Sequence, residues 1–237
     1  KIKWEYHYTG IASGQTCLAT LNKDIVQPFG PWNNPEKWQS LGRFSYKTGK
    51  LHKELLITST SGYNLHMGKP AFAISQENDT IAYFAMGGYN YTIMDELGEV
   101  YAWNISADSL LWKEENISSG VSHLTPVVSD SKVAFSCNEK IFTFDRQSGS
   151  LAWKYPETGQ DGAFEEIHYN NGVLFAKIRQ KGIKAFGMED GALYWEKMDY
   201  DYFDGEIESY NGYLFFYASW RIYNTHKKKY GICCLNE

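Results

Sequence analysis

The chain has 237 residues, a formal net charge of −5, and 43% hydrophobic and 16% aromatic residues, which excludes a disordered chain and predicts one folded domain over residues 1–237. Its dense basic run, Lys227 to Lys229, is predicted to lie in a turn, so we expect no nucleic-acid partner, because such proteins carry a clustered basic face. The longest strongly apolar stretch, Tyr213 to Trp220, has eight residues, whereas a membrane-spanning helix needs about 20, so no membrane span is predicted.

The first predicted element is a β-strand over Lys1 to His7, where apolar residues alternate with polar ones around Trp4. An insertion follows at Gln27 to Gln39, which carries Trp32 and Trp38 among prolines and asparagines. Surface insertions of this length often carry function. The rings could stack on sugars or anchor a protein partner, or they could pack over their own loop.

A four-position motif then recurs along the chain: an aromatic residue followed at +5, +7 and +9 by Gly, Leu and Trp. The four copies comprise Phe44, Gly49, Leu51 and Lys53; Trp103, Asp108, Leu110 and Trp112; Phe144, Gly149, Leu151 and Trp153; and Phe186, Gly191, Leu193 and Trp195. Their final positions are separated by 59, 41 and 42 residues. A fixed period in this range indicates a solenoid or a propeller.

Within each repeat the apolar residues have period two, which predicts strands rather than helices. The clearest hairpin joins Lys140 to Asp145 with Ser150 to Lys154 through a turn at Arg146 to Gly149. The other predicted strands are Pro70 to Ala73 with Ile81 to Ala85, Pro126 to Val128 with Val133 to Ser136, Val173 to Ala176, and Leu214 to Tyr217. Each repeat is therefore predicted to have four short antiparallel strands and little helix.

Two further insertions contain aromatic residues. Met86 to Leu97 carries Tyr89 and Tyr91 after paired glycines, and another insertion begins at Trp220. We interpret both as loops at the ends of the repeats that could bind a ligand or a protein partner. The alternative, as for the first insertion, is that their aromatic rings pack over their own loops.

An acidic run follows the Trp195 strand. It consists of Asp199, Asp201, Asp204 and Glu206, interleaved with Tyr200 and Tyr202. Two carboxylates across a funnel are what glycoside hydrolysis requires. The run also resembles a calcium loop but misses the usual spacing by one residue, and a solvated loop between blades is the third interpretation.

The repeat length and its four strands are typical of β-propeller blades. The chain ends in Tyr230 to Glu237, which we predict to be a third strand without a fourth. If Lys1 to His7 pairs beside it, Trp4 takes the final motif position and no sheet edge stays open. The prediction is an all-β propeller of about five four-stranded blades, with the N-terminal strand closing the last blade.

The sequence lacks the common motifs of metal sites, catalytic nucleophiles and nucleotide binding. The six histidines form no His-x-x-x-His pair, and no Cys-x-x-Cys pair exists, so no metal site is predicted. The chain also lacks a Gly-x-Ser-x-Gly elbow and a phosphate-binding Gly-x-x-x-x-Gly-Lys loop. Nucleophilic and nucleotide-dependent enzymes are therefore not expected.

A family resemblance rests on the motif. Thr143, Asp145, Ser148, Gly149 and Trp153 resemble the tryptophan-docking repeat of the quinoprotein (PQQ-like) propellers, roughly Ala-x-Asp-x-x-Thr-Gly-Lys-x-x-Trp. Partial matches are Ala185 with Gly191 and Trp195, Ala102 with Trp112, and, for the turn, Thr48 to Lys50. Thr125 to Phe135 resembles the family's first two strands. The resemblance covers most of residues 40–237 and implies the propeller fold.

The departures from that family concern its cofactor. Its quinone-dependent enzymes have eight blades with calcium and a base Asp in the funnel, whereas this chain has room for about five blades. We therefore expect no bound quinone and no calcium, and we place the chain in a non-enzymatic branch. Cys233 and Cys234 are adjacent, as are the disulfide-forming cysteines of the family's alcohol dehydrogenases, but two thiols on alternating faces of a strand is the preferred interpretation.

The functional prediction is a non-enzymatic recognition scaffold that binds a protein partner through its blade-end loops and funnel. The alternative is a carbohydrate-binding protein or glycoside hydrolase that uses the acidic run. The sequence leaves the compartment open, with export favoured over the cytoplasm.

Overall fold

The computed structural model describes residues 19–21, 24–29, 40–56, 66–68, 70–90, 95–115, 117, 125–137, 139–158, 161–179, 181–198, 202–221 and 228–236. These ranges contain 20 β-strands and no helix, which confirms the all-β prediction, and they hold no helix long and apolar enough to cross a membrane. The chain divides into two compact units, one of Lys1–Pro126 with Gln147–Gly149 and one of Val127–Arg146 with Ser150–Glu237.

The first unit contains two antiparallel sheets. Sheet 1 consists of β1 (Ala19–Leu21), β2 (Asp24–Phe29), β3 (Ser40–Ser45) and β4 (Leu51–Leu56). Sheet 2 consists of β5 (His66–Met67), β6 (Ala71–Ile74), β7 (Thr80–Asn90), β8 (Asp95–Asn104) and β9 (Ser109–Glu114). Since β5 and β6 both pair with β7, they share the position of a first strand. The two sheets share one apolar core, which includes Leu41, Leu55 and Phe84.

The second unit contains three antiparallel sheets in simple strand order. Sheet 3 consists of β10 (Val127–Val128), β11 (Lys132–Cys137), β12 (Lys140–Asp145) and β13 (Leu151–Tyr155). Sheet 4 consists of β14 (Phe164–Asn170), β15 (Val173–Ile178), β16 (Gly182–Gly187) and β17 (Leu193–Lys197). Sheet 5 consists of β18 (Tyr202–Tyr210), β19 (Tyr213–Arg221) and β20 (Lys228–Asn236). One apolar cluster joins sheets 3 and 4, and a second joins sheets 4 and 5.

The sequence motif coincides with one recurring backbone feature. The four motif copies all lie where the third strand of a sheet turns into the fourth. A β-bulge precedes the aromatic residue in each copy. The +5 residues are Gly49, Asp108, Gly149 and Gly191, with φ of 69°, 57°, 76° and 71°. Since a side chain is strained in this left-handed region, the turn explains why three of the four are glycine.

The motif tryptophans pack on the glycine of the following copy. A Cβ atom added to Gly191 would lie 2.6 Å from Cδ2 of Trp153, and one added to Gly149 would lie 2.7 Å from Cδ2 of Trp112. The indole N–H of Trp153 also donates a hydrogen bond to the Met188 carbonyl, at 3.0 Å. Glycine is therefore required at this position for two reasons: its backbone adopts the left-handed conformation without strain, and the absence of a side chain leaves room for the indole.

An ion pair replaces this contact between the first two copies. Lys53 stands where the others have Trp, Asp108 stands where the next has Gly, and Lys53 Nζ lies 2.5 Å from Asp108 Oδ2. The two side chains are 40% and 35% exposed, so the pair contributes about 0–1 kcal/mol. The two departures from the motif compensate each other.

We predict that restoring both motif residues stabilises the protein. Lys53→Trp with Asp108→Gly together should raise the free energy of unfolding by about 0.5–2 kcal/mol, because an indole packed on glycine replaces an exposed ion pair. Lys53→Trp alone should be destabilising, since the Asp108 side chain occupies the space for the ring. Urea denaturation of the two single variants and the double variant provides the test; additive effects would contradict it.

Several predicted loops are strands. Most of Met86 to Leu97 continues β7 and β8, which stay paired as far as Asn90 opposite Asp95. Trp220 lies inside β19, opposite Lys229 of β20, so Lys228 and Lys229 are not in a turn. Pairing satisfies the backbone groups of a long insertion better than an open loop does.

Other predictions fall outside the described residues. They include the strand Lys1 to His7 with Trp4, so strand closure and the number of blades stay predictions. Sheet 5 has three strands in its described part, with β20 as its third, as expected for Tyr230 to Glu237. Cys233 and Cys234 form no disulfide with each other, which agrees with the preferred interpretation.

Candidate functional site

The insertions all leave their sheets at equivalent ends. We call this the long-hairpin end: the end of a sheet where its second strand passes into the third, and where its fourth strand leaves. The β2–β3, β7–β8 and β19–β20 connections lie there. By contrast, the same connection is short in sheets 3 and 4, where Cys137 pairs with Lys140 and Ile178 with Gly182.

The predicted binding aromatics are partly located by the backbone. Tyr89 lies in β7 opposite Glu96, Tyr202 in β18 opposite Ser219, and Trp220 in β19 next to Ser219. Tyr202 and Trp220 are thus near one another in sheet 5, at its long-hairpin end. The other four, Trp32, Trp38, Tyr91 and Tyr200, lie outside the described residues.

The acidic run is only partly a loop. Asp204 lies in β18 opposite Tyr217, and Glu206 lies within the β-bulge between Asp204 and Glu208. Asp199 and Asp201 lie outside the described residues. The distance between two carboxylates, which a glycoside hydrolase fixes, is therefore untested, and the carbohydrate alternative stays a prediction.

The root of the β7–β8 hairpin contains a buried polar pair. The Tyr101 hydroxyl donates to the carboxylate of Glu99, which is 2% exposed. The Tyr101 ring stacks on Phe84 with a centroid distance of 5.2 Å. Burial, and then the hydrogen bond to Glu99, raise the pKa of Tyr101 well above its usual range, so the hydroxyl remains a donor and fixes the base of the hairpin.

A charged cluster lies at the long-hairpin end of sheets 3 and 4. Lys184 of β16 has a side chain only 6% exposed, and its Nζ lies 2.7 Å from Asp161 Oδ2 and 3.0 Å from Glu196 Oε2. It donates to the Tyr155 hydroxyl at 2.7 Å, and this hydroxyl donates to Asp161 at 3.0 Å. Lys181 donates to the Asp161 carbonyl at 2.7 Å, which ties down the loop before β14.

The cluster keeps Lys184 charged. Burial lowers the pKa of Lys184, but hydrogen bonds to Asp161, Tyr155 and Glu196 outweigh that effect and hold it above its usual value. A lysine used as a nucleophile or base needs the opposite shift. The cluster therefore fastens neighbouring sheets and offers no reactive amine.

A second polar connection joins sheets 4 and 5. Glu166 Oε1 accepts the backbone N–H of Ile207 at 2.7 Å, and its Oε2 lies 3.6 Å from Nζ of the buried Lys177. His168 and Ser209 are hydrogen-bonded at 2.9 Å. These contacts connect sheet 4 to sheet 5 within the second unit.

The part of the chain that the structure describes contains no group of three His, Cys, Asp or Glu side chains able to hold a metal ion.

The charged cluster could not be predicted from the sequence. Its members, Tyr155, Asp161, Lys184 and Glu196, do not follow the spacing of any known motif. A lysine within an otherwise apolar strand (Gly-Ile-Lys-Ala-Phe-Gly) was the one available signal.

Comparison with known proteins identifies a fold but no family. No protein-family model matches the chain, and no curated protein matches its sequence. Among solved structures it is similar to BamB from Moraxella catarrhalis, with 12% identity, a TM-score of 0.61, and coverage of 99% of this chain and 67% of BamB. It is also similar to Sqt1 from Saccharomyces cerevisiae, with 12% identity, a TM-score of 0.59, and coverage of 82% and 52%.

A computationally designed protein, Ika4, is similar over 79% of this chain and 98% of its own, with 14% identity and a TM-score of 0.51. The chain spans about half the length of Sqt1. Since BamB and Sqt1 are both β-propellers, the five antiparallel sheets are of the β-propeller class. At these identities the similarity concerns the fold alone.

Proposed function

We propose that the protein is a non-enzymatic β-propeller that binds a protein partner at the long-hairpin end. The observation that carries the proposal is that the three longest second-to-third-strand connections extend from equivalent ends of their sheets. Three of the predicted binding aromatics, Trp32, Trp38 and Tyr91, lie in these connections in the sequence, and Tyr200 lies just before β18. The other three lie in the strands themselves: Tyr89 in β7, Tyr202 in β18 and Trp220 in β19. Aromatic side chains of this kind are frequent anchors in protein interfaces.

Two rigid features support the proposed binding role of the hairpins. The β7–β8 ladder is continuous as far as Asn90 opposite Asp95, and the Glu99–Tyr101 pair holds its root. A surface that is ordered before binding loses less conformational entropy on association. The ion-paired Lys184 likewise gives the second unit a fixed support below its hairpins.

The proposal also covers the closing strand of sheet 5 and the relation to a propeller family. We assign Lys1 to His7 as the fourth strand of sheet 5, which gives five blades, and we place the chain beside the non-enzymatic quinoprotein-like propellers without quinone or calcium. The repeat motif supports both assignments, since Trp4 matches its final position. Export rather than a cytoplasmic location remains part of the proposal.

The binding experiment compares aromatic residues at the two ends of the sheets. Trp32→Ala, Trp38→Ala and Trp220→Ala should each weaken capture of the partner from a native extract by tenfold or more, as expected for interface anchors. The matched controls are Tyr46→Ala and Tyr210→Ala, which remove rings 56% and 70% exposed at the opposite ends of sheets 1 and 5.

Quantitative mass spectrometry of the captured proteins gives the measurement, and circular dichroism confirms that each variant is folded. The proposal predicts one protein that is lost from all three hairpin variants and retained by both controls. Equal capture by hairpin and control variants would overturn it. Binding of a glycan array by the full chain would favour the carbohydrate alternative instead.

A further inference from the structure

Two Asn-Gly pairs occur in the sequence, and each forms the turn from the first strand of a sheet to the second. The sheet 4 turn consists of Asn171 and Gly172, with φ of 47° and 84°, and the sheet 5 turn consists of Asn211 and Gly212, with φ of 51° and 77°. Each turn has only these two residues between paired strand ends. Positive φ at both residues is the geometry of a type I′ turn, which favours Asn-Gly.

Asn-Gly is also the pair most prone to spontaneous deamidation, because glycine has no side chain to shield its backbone nitrogen. This nitrogen, after losing its proton to hydroxide, attacks Cγ of the Asn side chain. A C–N bond forms, and the side-chain nitrogen takes a proton from water and leaves as ammonia. Water then opens the resulting succinimide at one of its two carbonyls, which gives aspartate or isoaspartate. Isoaspartate carries an additional methylene group in the backbone.

A closed turn limits this reaction, because ring formation requires the backbone between the two residues to rotate. The rate therefore depends on how often the turn opens, and the contacts that hold the turn govern its opening. The sheet 4 turn has such a contact: the Met188 N–H donates to the Gly172 carbonyl at 2.9 Å. Met188 is fully buried in the core between sheets 3 and 4, so it ties the sheet 4 turn to that core.

The sheet 5 turn is held by fewer contacts. No hydrogen bond from outside the β18–β19 hairpin reaches Asn211 or Gly212 in the described part of the chain. Three cross-strand pairs lie between this turn and the β-bulge of β18, whereas five lie between the sheet 4 turn and the β-bulge of β14. The flanking Tyr210 and Tyr213 are 70% and 45% exposed, so opening this turn exposes little further apolar surface.

We infer that Asn211 is a deamidation site at which the protein acquires isoaspartate, and that Asn171 is protected by its fold. One net hydrogen bond corresponds to about a fivefold change in the population of the open turn. Isoaspartate lengthens the backbone of a two-residue turn and thereby disrupts the pairing of Tyr210 with Tyr213. Leu214, the next residue of β19, packs in the core between sheets 4 and 5, so the modification loosens that junction.

The test is deamidation of the native full chain, incubated at mildly alkaline pH, where the backbone nitrogen loses its proton more readily. Peptide mass spectrometry follows the conversion of amide to acid at each Asn, and methylation by an isoaspartate-specific methyltransferase counts the isoaspartate. We expect Asn211 to convert at least about fivefold faster than Asn171, with isoaspartate among its products. Equal rates, or faster conversion at Asn171, would overturn the inference.

The same incubation in guanidinium chloride shows whether the fold causes the difference. Both turns are open in the unfolded chain, so the two rates should converge there. A difference that persists without the fold would contradict protection by Met188.

Asn211→Asp is the matched variant for the effect on sheet 5. It introduces the charge without the additional methylene group, and Asp also adopts the left-handed conformation, so it should unfold at the same urea concentration as the native chain. Protein incubated until Asn211 is converted should unfold at a lower concentration, in proportion to its isoaspartate content. Equal midpoints for the incubated protein and Asn211→Asp would overturn the loosening of the junction between sheets 4 and 5.

Discussion

Trp153→Ala is expected to lower the free energy of unfolding by about 3–5 kcal/mol, the range for removing a buried Trp from a core. The indole is 9% exposed, its ring centroid lies 6.1 Å from that of Phe186, and it covers Gly191. Its N–H donates to the Met188 carbonyl. The substitution removes an apolar contact and leaves that buried carbonyl without its donor.

Urea denaturation followed by circular dichroism measures the effect. The matched control is Leu151→Ala on the same strand, since the Leu151 side chain is 51% exposed and its loss should change stability by about 0.5 kcal/mol or less. If Trp153→Ala were no more destabilising than Leu151→Ala, the indole would not be fastening sheet 3 to sheet 4.

Gly191→Ala is expected to cost about 2–5 kcal/mol from two sources. The φ of 71° strains any residue with a Cβ atom by about 1–2 kcal/mol. The added methyl group would also lie 2.6 Å from Trp153 Cδ2 and 2.9 Å from its Cγ, and such overpacking costs about 1–3 kcal/mol. The aromatic ring is held by its own hydrogen bond and cannot move aside freely.

Gly172→Ala separates these two sources. Gly172 has a φ of 84°, yet an added Cβ atom would find no heavy atom within 4 Å. The control therefore carries only the backbone strain of about 1–2 kcal/mol. Measured by the same denaturation experiment, equal losses in the two alanine variants would show that the contact with Trp153 adds nothing.

The repeat could be predicted because it is fixed by local sterics. The left-handed turn and the packed indole both demand particular residues at Gly149 and Trp153, so the motif is visible in the sequence and its strands lie where expected. The compensation at Lys53 and Asp108 was not predictable in the same way. Each residue departs from the motif alone, and only their 2.5 Å contact explains both.

The structure of the long-hairpin end is harder to predict from the sequence. The sequence predicts loops at Tyr89 and Trp220 because paired glycines and mixed polar residues weaken the period-two signal, whereas the strand pairing continues through both residues. The cluster around Lys184 depends on residues from three separate elements, and long-range ion pairs leave no spacing in a sequence.

The coupling between Trp153 and Gly191 tests most directly the claim that the repeats are fastened by tryptophan packed on glycine. A double-mutant cycle compares Gly191→Ala in the native chain with the same change in a Trp153→Ala background. Our account predicts that the cost of Gly191→Ala falls in that background to the level of Gly172→Ala, because only backbone strain remains. An undiminished cost, with the two substitutions additive, would contradict it.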